Sequence, residues 1–370
     1  MIRVMHILTD SNIGGAGHHL LALLSRENGL DRNIFQVQVV LPENARLIPL
    51  LESQGVHCIE VPYLAERSFS AHAIRIFCHI MHDFKPHIVH THASLSGRIA
   101  ARIYNKCRIV HTRHSVFEPR PMQTQFPIRQ ILGALNNHLS DAIIAVSPAA
   151  KDNLLALGVN SEKMHVIFNG MPQAKAYTVA ERVALREKYN IPQDAFVLAQ
   201  MARLTEVKGQ NDVLTAAHEL PAHVMVLIAG DGELRPHLEA RIKNENIHNV
   251  RLLGFIEAVE EILAIMDVQL SASFGTEATS LALIQGMSVG KPAIVTDYGG
   301  NPYVIKDGEN GIVVPTRHPS ALADAVKRLC SDPDMYLRLA KGSCACYASH
   351  FTLEEMVKKT ESLYNDMSGE

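Results

Sequence analysis

Short apolar runs of strand length alternate with helical segments along all 370 residues of this sequence. Few folds accept that rhythm. In the first half the runs are Ile2–Leu8, Phe35–Leu41, His57–Val61, Ile88–His90, Ile109–Thr112, Ala142–Val146 and Val166–Phe168. Helical segments such as His18–Arg26, Ser94–Tyr104 and Arg129–Leu139 lie between them. The second half repeats the scheme at Phe196–Met201, Val224–Ala229, Val250–Leu253, Val268–Ser271, Ala293–Thr296 and Gly311–Val314. Strands separated by helices predict parallel sheets covered on both faces. The length suits two domains rather than one core. The pattern breaks at Asn169–Thr178, so the expected division is 1–172 and 173–351. The fold class that follows is α/β, with two doubly wound Rossmann-like domains facing across a cleft. Ligands of such sheets lie at the carboxyl ends of the strands, so the residues just after each strand carry the information.

Composition narrows the partners. A hydrophobic content of 47%, a charged content of 20% and a formal charge of −3 describe a soluble globular chain with no global pull toward nucleic acid. The first residues read as a strand rather than a signal peptide, and no run is long enough to span a bilayer, which predicts a cytoplasmic protein. Of the six cysteines only Cys344 and Cys346 are close, so reduced, packed thiols are expected. The 20 histidines are scattered. His90-Thr91-His92 and His111-Thr112-Arg113-His114 end two strands without an acidic or cysteine partner nearby, and no metal site is expected from them. Hydrogen bonding of His114 to a substrate hydroxyl is the better use.

The stretch Ser271–Gly300 holds the strongest signal. A strand turns through Phe274-Gly275-Thr276, passes Glu277 and enters a helix near Thr279-Ser280, both good N-cap types. Free amides and the helix dipole would hold an anion there, with the Glu277 carboxylate beside it. That suits a ligand with both phosphate and sugar hydroxyls. Arg203 and Lys208 follow the first strand of the second half and could neutralise a diphosphate without a metal ion. Asp10–Gly17, with Gly14 and Gly15, allows backbone to approach a phosphate or sugar after the first strand. Leu253–Ile256 ends another strand where a base could stack on Phe255 or bond to backbone at Ile256.

Together these residues resemble the retaining glycosyltransferases of the GT-B fold, the family 4-like, group 1 set. The matching points are the Gly14-Gly15 loop, Val146-Ser147-Pro148, Val166–Gly170, Ala202–Gly209, Ala229–Leu234, Leu252–Phe255, the Glu277 segment and Tyr298–Pro302. They run in the family's order over nearly the whole chain. The resemblance implies that Arg203 and Lys208 grip the donor diphosphate and that Glu277 bonds donor-sugar hydroxyls. It also implies that amides at Thr279, Ser280 and Leu281 hold the phosphates, and that His114 lies near the sugar. Gly14 and Gly15 match the loop facing donor and acceptor. It implies no metal or other cofactor, and a last helix, 352–370, that returns to the first domain. One departure stands out: the second glutamate of the signature, which bonds the ribose, is Gln285. An amide still donates and accepts hydrogen bonds, without the charge.

The function expected is transfer of a sugar from a nucleotide diphosphate donor, UDP-linked on family habit, to an acceptor hydroxyl with retention. Bacterial cell-surface glycan or glycolipid synthesis is the expected setting. The alternative is a non-catalytic nucleotide- or glycan-binding subunit that supports a partner enzyme; a sugar-nucleotide epimerase is a third reading. A glycan or lipid-linked sugar is the expected acceptor, and Phe117–Arg129 is the segment that could rest on the inner face of a membrane.

Overall fold

The computed structural model describes residues 1–62, 64 and 69–369. The chain forms two compact units, one of residues 1–171 with 351–370 and the other of residues 172–350. Both are parallel α/β sheets, as the alternation requires.

Unit 1 contains β1 (Ile2–Leu8), β2 (Phe35–Pro42), β3 (His57–Val61), β4 (Ile88–His92), β5 (Arg108–Arg113), β6 (Ala142–Ala145) and β7 (Met164–Val166), in the order β3-β2-β1-β4-β5-β6-β7. Period-2 alternation gives its sheet two different faces. Met5, Ile7, Val89 and Ile109 enter an apolar cluster with Phe77 and Met81 of helix Ala71–Phe84 and Ala100 and Ala101 of helix Leu95–Tyr104. Histidines and a tyrosine occupy positions on the opposite face.

Unit 2 contains β8 (Phe196–Met201), β9 (Val224–Ala229), β10 (Val250–Gly254), β11 (Val268–Ser271), β12 (Ala293–Thr296) and β13 (Gly311–Val314), in the order β10-β9-β8-β11-β12-β13. Here alternate residues feed two apolar cores. Leu198, Val226 and Val268 join one, while Val197, Ala199 and Leu227 join the other. The strand order reverses between β1 and β4 in unit 1 and between β8 and β11 in unit 2, the places where a doubly wound sheet opens a crevice.

Two expected boundaries move for local reasons. The first helix runs Gly15–Leu23 rather than His18–Arg26, because Gly14 caps it and the chain then doubles back tightly. A Cβ on Gly29 would lie 2.4 Å from the Ser25 carbonyl oxygen. β7 is Met164–Val166 rather than Val166–Phe168, since its partner β6 ends at Ala145, opposite Val166. Helix Leu353–Ser368, capped by Thr352, belongs to unit 1. Among the described residues no helix is long and apolar enough to cross a membrane.

Candidate functional site

β8 and β11 pair over only two rungs, Val268 with Leu198 and Gln269 with Ala199. Beyond them the two strands release loops 202–209 and 272–280, which fold over the carboxyl edge together. Gln200 Nε2 donates to the Lys208 carbonyl at 2.7 Å, Gln210 Nε2 to that of Arg203 at 3.0 Å, and the Phe274 amide to that of Val207 at 2.9 Å. Lys208 ends a short 3-10 turn, Glu206–Lys208, and Gly209 follows at φ +70, where a Cβ would meet the Ala272 carbonyl oxygen at 2.1 Å. Only glycine fits. Lys208 Nζ then reaches Glu277 Oε2 at 2.5 Å, and Ser273 Oγ donates to the same oxygen at 3.0 Å.

Glu277 is held from both sides. Thr276 before it has φ +61, a left-handed conformation in which a β-branched residue is strained and which survives only when its surroundings fix it. Behind it the Gly300 amide donates to the Glu277 carbonyl at 3.0 Å. Cβ atoms on Gly299 and Gly300 would fall 2.2 Å from the Glu277 oxygen and 1.5 Å from that of Ala278. The Gly299-Gly300 pair therefore lets two backbones touch. The Thr296 hydroxyl, donating to the Ser273 carbonyl, fastens the loop from β12. The Glu277 carboxylate is consequently aimed by the fold, at a position 8% exposed.

The other residues singled out in this half fall as follows. Ser280 is the N-cap of helix Leu281–Ser288, its hydroxyl accepting from Leu283, and Thr279 lies one position outside. Gln285 is half-buried on that helix, and its carbonyl accepts from Ser288 Oγ. Arg203 is exposed and enters no ion pair among the described residues. Phe255 is 71% exposed after Gly254, which has φ +75, whereas Ile256 packs against the core. Arg203, Lys208, Glu277 and Ser280 thus lie on the two loops released at the strand-order reversal, and Phe255 follows β10 at the sheet's far margin.

Unit 1 carries the remaining residues. Gly14 is the N-cap of the first helix, and nothing among the described residues lies within 4 Å of a Cβ built on Gly15. His114, just beyond β5, lies with Nε2 2.9 Å from His92 Nδ1. A larger histidine array accompanies it. His6 of β1 pairs in register with His90 of β4, and His90 and His92 share a face by period 2. His6 Nδ1 is 3.1 Å from His92 Nε2, while His90 bonds Tyr364 at 2.5 Å and Thr112 at 2.6 Å. His19 of the first helix bonds Asn169 at 2.9 Å. Burial pushes the His6 imidazole down to about 3, with the nearby His19 adding to the fall. Burial takes His19 to about 4 against the opposing effect of the Asn169 bond. It also drives His90, His92 and His114 well below the ordinary histidine range. These rings are neutral at physiological pH. His6, His19 and Asn169 escape sequence reasoning because they come from separate elements; the alternation of β1 against β4 is the signal that joins His6 to His90.

Two family models match the chain in tandem. Residues 13–175 match Glycosyltransferase Family 4, and residues 181–343 match Glycosyl transferases group 1. A UDP-Gal:alpha-D-GlcNAc-diphosphoundecaprenol alpha-1,3-galactosyltransferase of Escherichia coli is 27% identical over 294 residues, covering 76% of this chain and 75% of its own. An N-acetyl-alpha-D-glucosaminyl L-malate synthase of Bacillus anthracis is 25% identical over 294 residues, covering 76% and 74%. The crystal structure of Anabaena Alr3699/HepE in complex with UDP and glucose superposes with a TM-score of 0.86 at 19% identity, over 99% of this chain and all of the other. That likeness shows the fold. The paired models, matched in order along a chain with two doubly wound sheets, place this protein in the group 1, family 4 glycosyltransferases, with the GT-B fold.

Proposed function

We propose that this glycosyltransferase transfers a sugar from a UDP-sugar to an acceptor hydroxyl with retention, in the synthesis of a bacterial cell-surface glycan or glycolipid. The observation that carries the reading is the fixed Lys208–Glu277 pair at the unit 2 strand-order reversal, with the exposed Arg203 on the same loop as Lys208. As the sugar–phosphate bond breaks, negative charge grows on the leaving diphosphate. Arg203, Lys208 and the amides opening helix Leu281–Ser288 meet that charge, in place of a divalent metal. Glu277 accepts hydrogen bonds from sugar hydroxyls. The relative named for a UDP-Gal donor and the Anabaena complex with UDP and glucose support the choice of UDP. The decisive measurement is release of nucleoside diphosphate from a panel of donors with EDTA present. Release of UDP from at least one UDP-sugar is expected. Turnover that requires added Mg2+ or Mn2+ would sink the metal-free reading, and tight UDP binding without release in any acceptor mixture would favour the second one. That second reading, a non-catalytic subunit, rests on Gln285, an uncharged residue where the family signature has its second glutamate.

The acceptor reading is a lipid-linked sugar at a membrane face. Met122, Phe126 and Ile131 are 66%, 81% and 62% exposed, with Phe117 and Arg120 near them in sequence, a mixture that lies well at a lipid headgroup boundary. Burying one such side chain contributes about 1.5–3 kcal/mol. Phe126→Ser is therefore expected to lower partition onto anionic vesicles by about tenfold or more without changing UDP affinity. Unchanged sedimentation with vesicles would remove the membrane from the proposal.

A further inference from the structure

The H-x-H run of β4 has no third ligand along the chain, but the fold brings one from the first helix and another from the end of β5. One ring nitrogen each of His19, His92 and His114 lies within 4.8 Å of the other two. We infer that these three imidazoles form a binding site for a borderline-soft divalent cation of the Zn2+ or Co2+ kind. Three observations carry this. First, His19 is 4% exposed, and its Nε2 is buried without a hydrogen-bond partner among the described residues, while its ring lies 4.9 Å from that of His114 and 5.7 Å from that of His92. A buried imidazole nitrogen with no partner carries a desolvation cost that a metal bond removes.

Second, two of the three rings already have the outer partners that metal-bound histidines use. Asn169 Oδ1 accepts from His19 Nδ1, which leaves Nε2 as the lone-pair nitrogen. His6 Nδ1, 3.1 Å from His92 Nε2, can take that ring's proton and leave His92 Nδ1 as the ligand. His114 then binds through Nε2 and keeps its proton on Nδ1. In the metal-free chain one proton lies between His92 Nδ1 and His114 Nε2, 2.9 Å apart. On binding, that proton moves within its own imidazole to the other nitrogen, so all three rings stay neutral and none is released.

Third, the spacing of one pair is near that of a complex, while the His19 nitrogen, within 4.8 Å of both, closes the set by moving inward. Tetrahedral ligands with bonds of about 2.0–2.1 Å are roughly 3.3 Å apart, so His92 and His114 need to separate by only a few tenths of an ångström. The neighbouring triad His6, His90 and His92 lies equally close, but both nitrogens of His90 are engaged by Tyr364 and Thr112. An all-imidazole set selects Zn2+, Co2+, Ni2+ or Cu2+ over Mg2+, which prefers oxygen. All three ligands belong to unit 1, so the site stands whether or not Arg203, Lys208 and Glu277 of unit 2 hold a diphosphate sugar.

The test is titration of the untagged, chelator-treated full chain with Co2+, followed by absorption, then back-titration with Zn2+. Expected is one equivalent of Co2+ per chain with the intense visible bands of a four-coordinate site, displaced by one equivalent of Zn2+. His19→Ala and His114→Ala should each weaken uptake by at least tenfold, whereas His237→Ala, on the surface of unit 2, should not. His114 is only half-buried, so its variant serves where His19→Ala impairs folding. Absence of the bands in the wild type, or uptake that survives both substitutions, overturns the assignment.

Discussion

Lys208→Ala is expected to weaken binding of free UDP by about 10- to 100-fold, the worth of a charge-assisted hydrogen bond at about 1.5–3 kcal/mol. Glu277→Ala should behave in the opposite way toward the same ligand. In the free protein the Glu277 carboxylate already occupies the Lys208 ammonium at 2.5 Å and competes with any phosphate for it. Removing the carboxylate releases the ammonium, so affinity for UDP should hold or rise. What is lost is the acceptor for sugar hydroxyls, and kcat/KM should fall on the order of 10²–10³, the usual scale for deleting one preorganised polar group from a reacting centre. Calorimetry with UDP and with the UDP-sugar separates the two variants. If both bind every ligand alike, the division of labour between ammonium and carboxylate is wrong.

The second large effect is on stability. The Asp267 carboxylate accepts from the Val197 amide at 2.8 Å, from Arg186 at 3.0 Å, and from Arg182. Arg186 is 3% exposed, and its other bonds go to the carbonyls of Pro192, Gln193, Ala195 and Ile265. Asp267→Ala strips the only carboxylate that pairs with the buried guanidinium among the described residues and leaves the Val197 amide without that acceptor at the start of β8. Breaking a buried pair from one side costs about 3–5 kcal/mol. For a unit of this size each kcal/mol moves the midpoint by roughly 2–4 °C, so a fall of about 6–20 °C is expected by calorimetry. Asp267→Asn keeps one accepting oxygen and should lie between. A midpoint within about 2 °C of wild type for Asp267→Ala would show that the carbonyl cage alone satisfies Arg186.

The sheets were legible because their signal is local. A run such as Val224–Ala229 is buried along its length, and its bounds follow from composition alone. The same holds for Ser280, since a capping hydroxyl acts on amides two and three residues on. That loops 202–209 and 272–280 both lie at the ligand edge followed from the general rule for doubly wound sheets rather than from any one residue, whereas the strand order that sets them side by side came only with the structure. The pairing of Lys208 with Glu277 was not legible: it accompanies a left-handed turn at Thr276 that threonine disfavours, with Gly299 and Gly300 packed against the carbonyls of Glu277 and Ala278 that follow. Nor was the histidine array. His6, His19, His90, His92 and His114 lie in segments as far apart as a first strand and the end of a fifth. Only strand register and the placement of a helix bring their rings together.

Tyr364 reaches His90 from helix Leu353–Ser368 and stacks edge-on against Phe35, so one face of the first sheet is finished by residues translated after all of 172–350. On the ribosome, therefore, the unit that begins first is completed last. Through the synthesis of the whole second unit, a nascent sheet with three imidazole-bearing positions, His6, His90 and His92, waits without that helix on this side. Nicking the polypeptide near Phe351 would sever the half that starts the chain from its own missing wall, and any attempt to produce 1–171 alone would need that helix spliced back on.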